Sequence, residues 1–315
     1  MSAAAVKEDD TNICAYCGTA EIDDIKLKDC DDCDIVKYCS DECQKDHRTK
    51  HEEECKKRVG ELKDEILFKQ PESSHLGDCP ICCLPLPIDP LKSGLYNCCS
   101  KRLCDGCNLA NSKREYEGSL QRKCPFCRTA TAKTKEEINE RLMRRVEAND
   151  PVAMREMGMD RDDEGDYKSA FEYWTKAAAL GDVIAHFQLS GMYREGEGVD
   201  KDEKKELHHT EKAAMGGHPD ARYNLGYLDM KNGQNDRAVK HLIIASKLGH
   251  DQSLAALKEL YRDRLVSKED FEAALRGHKA AIDATESPQR KEAADFYNNR
   301  QEVGMKRDLN TFTGS

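Results

Sequence analysis

No cysteine follows Cys127 and none precedes Cys14, yet the sequence holds sixteen in between. It also lacks any run of about 18 or more apolar residues, which excludes a membrane-spanning helix. The first ten residues, Met1 to Asp10, have no apolar core of the kind a secretory signal needs, so an intracellular, reducing compartment is expected. There dense cysteine reads as metal ligation rather than disulfide. A surplus of positive charge is missing too. The formal net charge is −10, and loading fifteen thiolates with four zinc ions would take it to about −17. Direct DNA or RNA binding, which needs clustered cations, is therefore not expected. What is present is charge of both signs, at 35% of residues, against 38% hydrophobic, and 315 residues are enough for two or three compact units.

Cysteine density and periodicity divide the chain. Residues 1–11 read as disordered, 12–58 and 78–130 as cysteine-rich zinc modules, and 59–77 and 131–150 as charged helical linkers. In the first linker Leu62, Ile66 and Phe68 predict a helix continuing from the first module and ended by Pro71. In the second, Ile138, Leu142 and Val146 recur at steps of four before Asp150-Pro151. Residues 285–315 read as a frayed helix and then a disordered tail.

Residues 151–284 repeat. Ala153, Ala185, Ala221 and Ser253 are spaced by 32, 36 and 32, and each is followed four positions later by Met157, Leu189, Leu225 or Leu257. A second register, Ala177-Ala178-Ala179-Leu180-Gly181, returns at 213–217 and 245–249. Such agreement predicts pairs of antiparallel helices stacked into a short solenoid, with small residues at the crossings. With the Tyr193-Arg194-Glu195-Gly196-Glu197-Gly198-Val199 loop, these units resemble SLR (Sel-like) repeats, relatives of the tetratricopeptide repeat. Ser190 departs from the glycine usual there. The resemblance implies a platform for another protein. The expected fold class is therefore two small zinc-stabilised α+β modules, each cross-braced, followed by an all-α helical-repeat solenoid.

The first module reads Cys14-x2-Cys17-x12-Cys30-x2-Cys33-x5-Cys39-x3-Cys43-x7-His51-x3-Cys55. Eight soft ligands in four pairs suit two tetrahedral zinc ions, and His51 and Cys55 share one face of a helix. The block resembles a MYND finger from Cys14-Ala15-Tyr16-Cys17-Gly18 to Cys43-Gln44-Lys45-Asp46-His47. That likeness implies interleaved sites, Cys14, Cys17, Cys39 and Cys43 for one ion and Cys30, Cys33, His51 and Cys55 for the other. Arg48 stands where the family usually has tryptophan, which weakens the case for binding proline-rich peptides. His47 is expected to be a surface residue.

The second module offers Cys79-Pro80-Ile81-Cys82, Cys98-Cys99, Cys104-x2-Cys107 and Cys124-Pro125-Phe126-Cys127-Arg128, again eight candidates, with Cys83 left over as a small buried side chain. It resembles a RING-type cross-brace. On that likeness Cys79, Cys82, Cys104 and Cys107 hold one zinc, and Cys124, Cys127, Cys99 and Cys98 the other. Lys101, between Ser100 and Arg102, stands where a RING usually has histidine. Either the adjacent Cys98 and Cys99 both bind or the second site lacks a ligand. The resemblance also implies a contact for a ubiquitin-conjugating enzyme at Ile81 and Pro125, with Arg128 holding the donor ubiquitin. Against it stands the reading in which Ile81 and Pro125 pack the turn and Arg128 is a solvated helix start.

Two functions follow: a zinc-binding protein that docks protein partners through finger and repeats, or a RING-type ubiquitin ligase whose other modules recruit substrate. No stretch resembles a methyltransferase SET motif, and no hydrolase site is seen. The combination over residues 12 to about 284 resembles a family of algal multidomain proteins, which supports the architecture and adds no activity.

Overall fold

The computed structural model describes residues 13–21, 25–33 and 35–302, and among these residues two small hairpins and twelve α-helices carry the fold. The readings for residues 1–11 and for the end of the tail fall largely outside these. Two compact units divide at Lys69 and Gln70.

In the first unit, β1 (Lys28–Asp29) pairs antiparallel with β2 (Lys37–Tyr38). Ser40 then caps α1 (Asp41–Leu67), its hydroxyl accepting from the Cys43 amide at 3.2 Å, and Asp41 and Glu42 fill the positive first turn. This helix buries only His51 and Leu67. Pairs such as Glu52–Lys56 (2.5 Å) and Arg58–Glu65 (2.9 Å) lace its exposed face. Solvent-exposed pairs of this kind stabilise little, so α1 leans on its N-terminal ligands as much as on its own sequence. The helix expected in the first linker is thus the end of α1, and it stops before Pro71.

The second unit begins with the second cysteine-rich module. Hairpin β3 (Ser93–Tyr96) and β4 (Lys101–Cys104) places Ser93 opposite Cys104 and Tyr96 opposite Lys101. Helix α2 (Asp105–Glu117) follows directly. Leu86 and Leu103 are buried among Cys79, Cys104 and Cys107, a small core in which three of five side chains are cysteines.

Helix α3 (Lys135–Glu147) is capped by Thr134, whose hydroxyl accepts from the Glu137 amide, and the Glu137 carboxylate accepts in return from the Lys133 amide, just ahead of the cap, at 2.9 Å. Its stripe does more than link. Leu142 is buried with Ala153 and Met157, so α3 is the first layer of the stack. Helices α4 (Pro151–Asp163) and α5 (Tyr167–Ala179), α6 (Val183–Glu195) and α7 (Glu203–Met215), α8 (Pro219–Lys231) and α9 (Asn235–Lys247), and α10 (Asp251–Arg262) and α11 (Lys268–Ala284) are the stacked pairs. Ala153, Ala185, Ala221 and Ser253 are completely buried, and the four residues one turn later are nearly so. Trp174 fills the first pair and donates from Nε1 to the Arg155 carbonyl at 3.2 Å.

Helix α12 (Pro288–Glu302) does not fray away. It packs on α2 of the zinc module, burying Ala293. None of the described helices is long and apolar enough to cross a membrane.

Candidate metal centres

Three segments fold into the same eight-residue knuckle. In each, the first cysteine's amide bonds a carbonyl five residues on: Cys14 to Thr19 (2.8 Å), Cys79 to Leu84 (3.0 Å), Cys124 to Thr129 (2.8 Å). A bridge closes the ends, Ile13 with Ala20, Asp78 with Pro85 and Lys123 with Ala130. The residue after the second cysteine must turn left-handed, at φ +75° for Gly18, +56° for Cys83 and +63° for Arg128. That costs a non-glycine residue about 1–2 kcal/mol, so the sulfur geometry is held against a backbone penalty. Two expectations are corrected here. Cys83 is exposed, not buried, because its position is a turn. Arg128 closes a knuckle and starts no helix.

The thiols and His51 come together in four groups, three of them built on a knuckle, each with its ligand atoms within 4.8 Å of one another: Cys14, Cys17, Cys39 and Cys43; Cys30, Cys33, His51 and Cys55; Cys79, Cys82, Cys104 and Cys107; Cys98, Cys99, Cys124 and Cys127. Zn–S bonds of 2.3 Å in a tetrahedron put sulfurs about 3.8 Å apart. Cys17–Cys39 is 3.5 Å, Cys39–Cys43 3.6 Å, Cys30–Cys55 3.9 Å, Cys82–Cys104 3.8 Å and Cys99–Cys124 3.7 Å. Cys98 lies 3.3 Å from Cys127, so both adjacent cysteines face the fourth group. No disulfide forms, and these separations are far beyond a 2.05 Å bond. The residues therefore fit zinc.

Electrostatics agree. Burial raises the Cys14 thiol, but hydrogen bonds from the backbone of Cys17 and Cys39 outweigh it and bring it down to about 6. Its neighbour Cys39 is pushed up to about 12 by the sulfurs of Cys17 and Cys43. In the third group the Cys104 sulfur draws Cys79 down to about 4, while Cys79 drives Cys104 far upward. Four thiolates cannot share such a space by themselves. A divalent cation removes that conflict and lets every ligand ionise.

Around the ligands, His47 is a further correction. It is half-buried, bonds the Tyr38 hydroxyl through Nδ1 at 3.0 Å and stacks on His51 at 5.8 Å, orienting a ligand instead of facing water. Arg48 is exposed on α1. In the second zinc module, Ser100 at φ +53° donates to Asp150 at 2.7 Å and accepts from Arg145 Nε at 2.8 Å, while Arg145 also pairs with Asp150. The Cys98–Cys99 turn is thereby tied to the junction of α3 and α4. Lys101, where a RING would carry histidine, lies 5.7 Å over the Phe126 ring. Ile81 is 45% exposed on the second knuckle, and on the third Pro125 is half-buried and Arg128 exposed.

These centres and the stacked helices define a zinc-binding protein-interaction protein. The family model of the MYND finger matches residues 14–55, and that of the Sel1 repeat matches 151–182, 183–218 and 219–250. The chain thus contains a MYND finger and three Sel1 repeats, corresponding to the pairs α4–α5, α6–α7 and α8–α9. Over 86 residues it is 30% identical to chitin synthase regulatory factor 4 of Schizosaccharomyces pombe, a stretch covering 27% of this chain and 14% of that protein. Among solved structures, a Sel1 repeat protein from Oxalobacter formigenes is 23% identical with a TM-score of 0.42, covering 57% of this chain and 72% of that one. The protective antigen c5321 of uropathogenic Escherichia coli, which displays an SLR fold, is 23% identical with a TM-score of 0.40, covering 53% and 36%.

Proposed function

We propose that this protein is a zinc-braced docking scaffold whose second unit takes an extended segment of a partner protein. The observation carrying this is a cleft of about 1360 Å³ bounded by the RING-like zinc module on one side and the repeats on the other. Apolar side chains such as Ile184, Phe187 and Ile282 line it together with the cation Arg102, a mixture that binds peptides by pockets and orients them by charge. The chain's own residues 73–76 already lie along one wall in the manner of such a segment. The His75 amide donates to the Gly217 carbonyl at 3.2 Å, and the His75 ring stacks on His218, which stacks in turn on Phe187. Four zinc ions, two in the MYND finger and two in the RING-like module, would supply the rigidity. A photo-crosslinking residue at Gln188, in the cleft, should capture a bound partner. The same residue at Tyr227, 63% exposed and no part of the cleft lining, should not. Capture from Tyr227 alone would refute the cleft as the docking site.

A second reading, a RING-type ubiquitin ligase, is favoured by one feature: Ile81 presents an exposed apolar side chain between two zinc ligands. On that reading Ile81 and Pro125 dock a ubiquitin-conjugating enzyme, and Arg128 orients the thioester-linked ubiquitin. The chain should then speed discharge of ubiquitin from a charged conjugating enzyme onto free lysine. Ile81→Ala should weaken recruitment by about 1–3 kcal/mol, and Arg128→Ala should slow discharge with recruitment intact. Absence of stimulation across a broad panel of conjugating enzymes, with zinc content normal, would eliminate this reading.

A further inference from the structure

Arg290, in the first turn of α12, reaches the second knuckle from 208 residues away in sequence. Its Nη1 donates to the Pro85 carbonyl at 2.6 Å and to Thr285 at 2.7 Å, and its Nη2 donates to the Leu84 carbonyl at 3.1 Å. Nη2 also lies 3.4 Å from Cys82 Sγ, and Nε is buried without a partner. Among the described residues no carboxylate pairs with this guanidinium. Neutral carbonyls alone offset the desolvation of a cation poorly. The missing anion is at hand: a zinc held by four thiolates carries a formal charge of about −2, and Cys82 is one of its ligands. A guanidinium hydrogen bond to such a thiolate is of the strong, charge-assisted kind.

The rest of the contact points to the same centre. Gly106 lies between the ligands Cys104 and Cys107, and a Cβ there would come within 2.9 Å of the Arg290 amide nitrogen. Helix α12 is therefore seated directly on the turn that the metal organises. Ala293 is completely buried, and Lys113 of α2 pairs with Glu292. Both halves of the seat, the Leu84–Pro85 knuckle and the Gly106 turn, take their positions from the ligands that flank them.

We propose that Arg290 is the outer-sphere counter-charge of the zinc at Cys79, Cys82, Cys104 and Cys107, and that α12 is a latch that stays closed on this module only while that metal is bound. Coupling of this kind is reciprocal: the metal holds the helix, and the helix holds the metal. Loss of the ion would release α12 and uncover the face of α2 beneath it. The proposal rests on this group being a zinc site, which the zinc content of the wild-type protein tests separately.

The test uses the full-length, zinc-loaded protein. Transfer of metal to a chromogenic chelator is followed in the wild type and in Arg290→Met, which keeps an unbranched apolar stem and removes the guanidinium and its charge. Loss of an outer-shell partner weakens a metal site by about 10–100-fold. One metal equivalent should therefore leave about tenfold faster or more, and the others at the wild-type rate. Hydrogen exchange of the α12 amides should accelerate when the wild type is stripped of zinc. Ala293→Glu, which unseats the helix without touching Arg290 or a ligand, should speed release of the same equivalent. A release curve for Arg290→Met that overlays the wild type, or α12 protection that survives removal of zinc, would overturn the proposal. So would Ala293→Glu with exposed α12 amides and unchanged metal release.

Discussion

Gly198 sits in the loop between α6 and α7 at φ +69°, where an added Cβ would meet the Tyr167 carbonyl oxygen at 2.5 Å and its carbon at 2.7 Å. Both neighbours are backbone, so neither can swing aside. For Gly198→Ala the left-handed conformation costs about 1–2 kcal/mol. Forcing the loop away from α5 adds about 1–3 kcal/mol of overpacking, for a total of roughly 2–5 kcal/mol. A matched control separates the two contributions. Gly233, between α8 and α9, has φ +74° and nothing within 4 Å of a new Cβ. Gly233→Ala should therefore cost only the conformational part, about 1–2 kcal/mol. Urea unfolding followed by Trp174 fluorescence reads the first pair directly, because Trp174 lies on α5, the helix that Tyr167 begins. Far-UV circular dichroism follows the whole stack. Equal shifts of midpoint at unchanged slope for the two variants would refute the claim that Gly198 is required for close approach.

Elemental analysis of protein purified without added metal should give four zinc ions per chain. A value near two would mean that the RING-like module does not hold its pair. Acid should weaken the second unit well above the range in which carboxylates protonate. Burial lowers His75 to about 3, with His218 adding to the effect, and burial lowers His218 to about 4 and His241 to about 3. These rings are neutral when folded, whereas in the unfolded chain they protonate near the ordinary value of about 6.5. The unfolded state thus binds more protons below that pH. Stability is constant above about 6.5 and falls as pH drops from there toward 4. Unfolding titrations between pH 7.5 and 4.5 should show the fall, and His241→Gln should make it shallower. A flat profile would show that the histidines are not buried as the structure places them.

The repeat was legible because small residues at a fixed period have one physical use, helix crossing, and Ala153, Ala185, Ala221 and Ser253 are all completely buried. The grouping of the sixteen candidate ligands came from the likeness to MYND and RING cross-braces, since spacing alone leaves open which pairs share an ion; the structure brings the same four sets of side chains together. Other features carried no pattern. The charged linker stripe of Ile138, Leu142 and Val146 looks the same whether it spaces two domains or caps a stack, and only packing on Ala153 and Met157 decides. Cys83 and Arg128 violate the preference for glycine at a left-handed turn, so composition pointed the wrong way. His47 was hidden because its role comes from Tyr38 and His51, not from a spacing of its own. Arg290 is one cation among many, and its value depends on a contact that spans most of the chain.

An ordinary solenoid is open at both ends, and a repeat can be gained or lost with little consequence for the others. The return of α12 to α2 makes this one a closed circuit: zinc module, α3, four helical pairs, and back to the zinc module. Its circumference is thereby fixed. An additional unit of 32 to 36 residues, the observed period, would carry α12 past its seat at Gly106, and one unit fewer would leave it short. Copy number, which in most arrays drifts freely, is here a dimension of the architecture, as the number of staves is for a barrel.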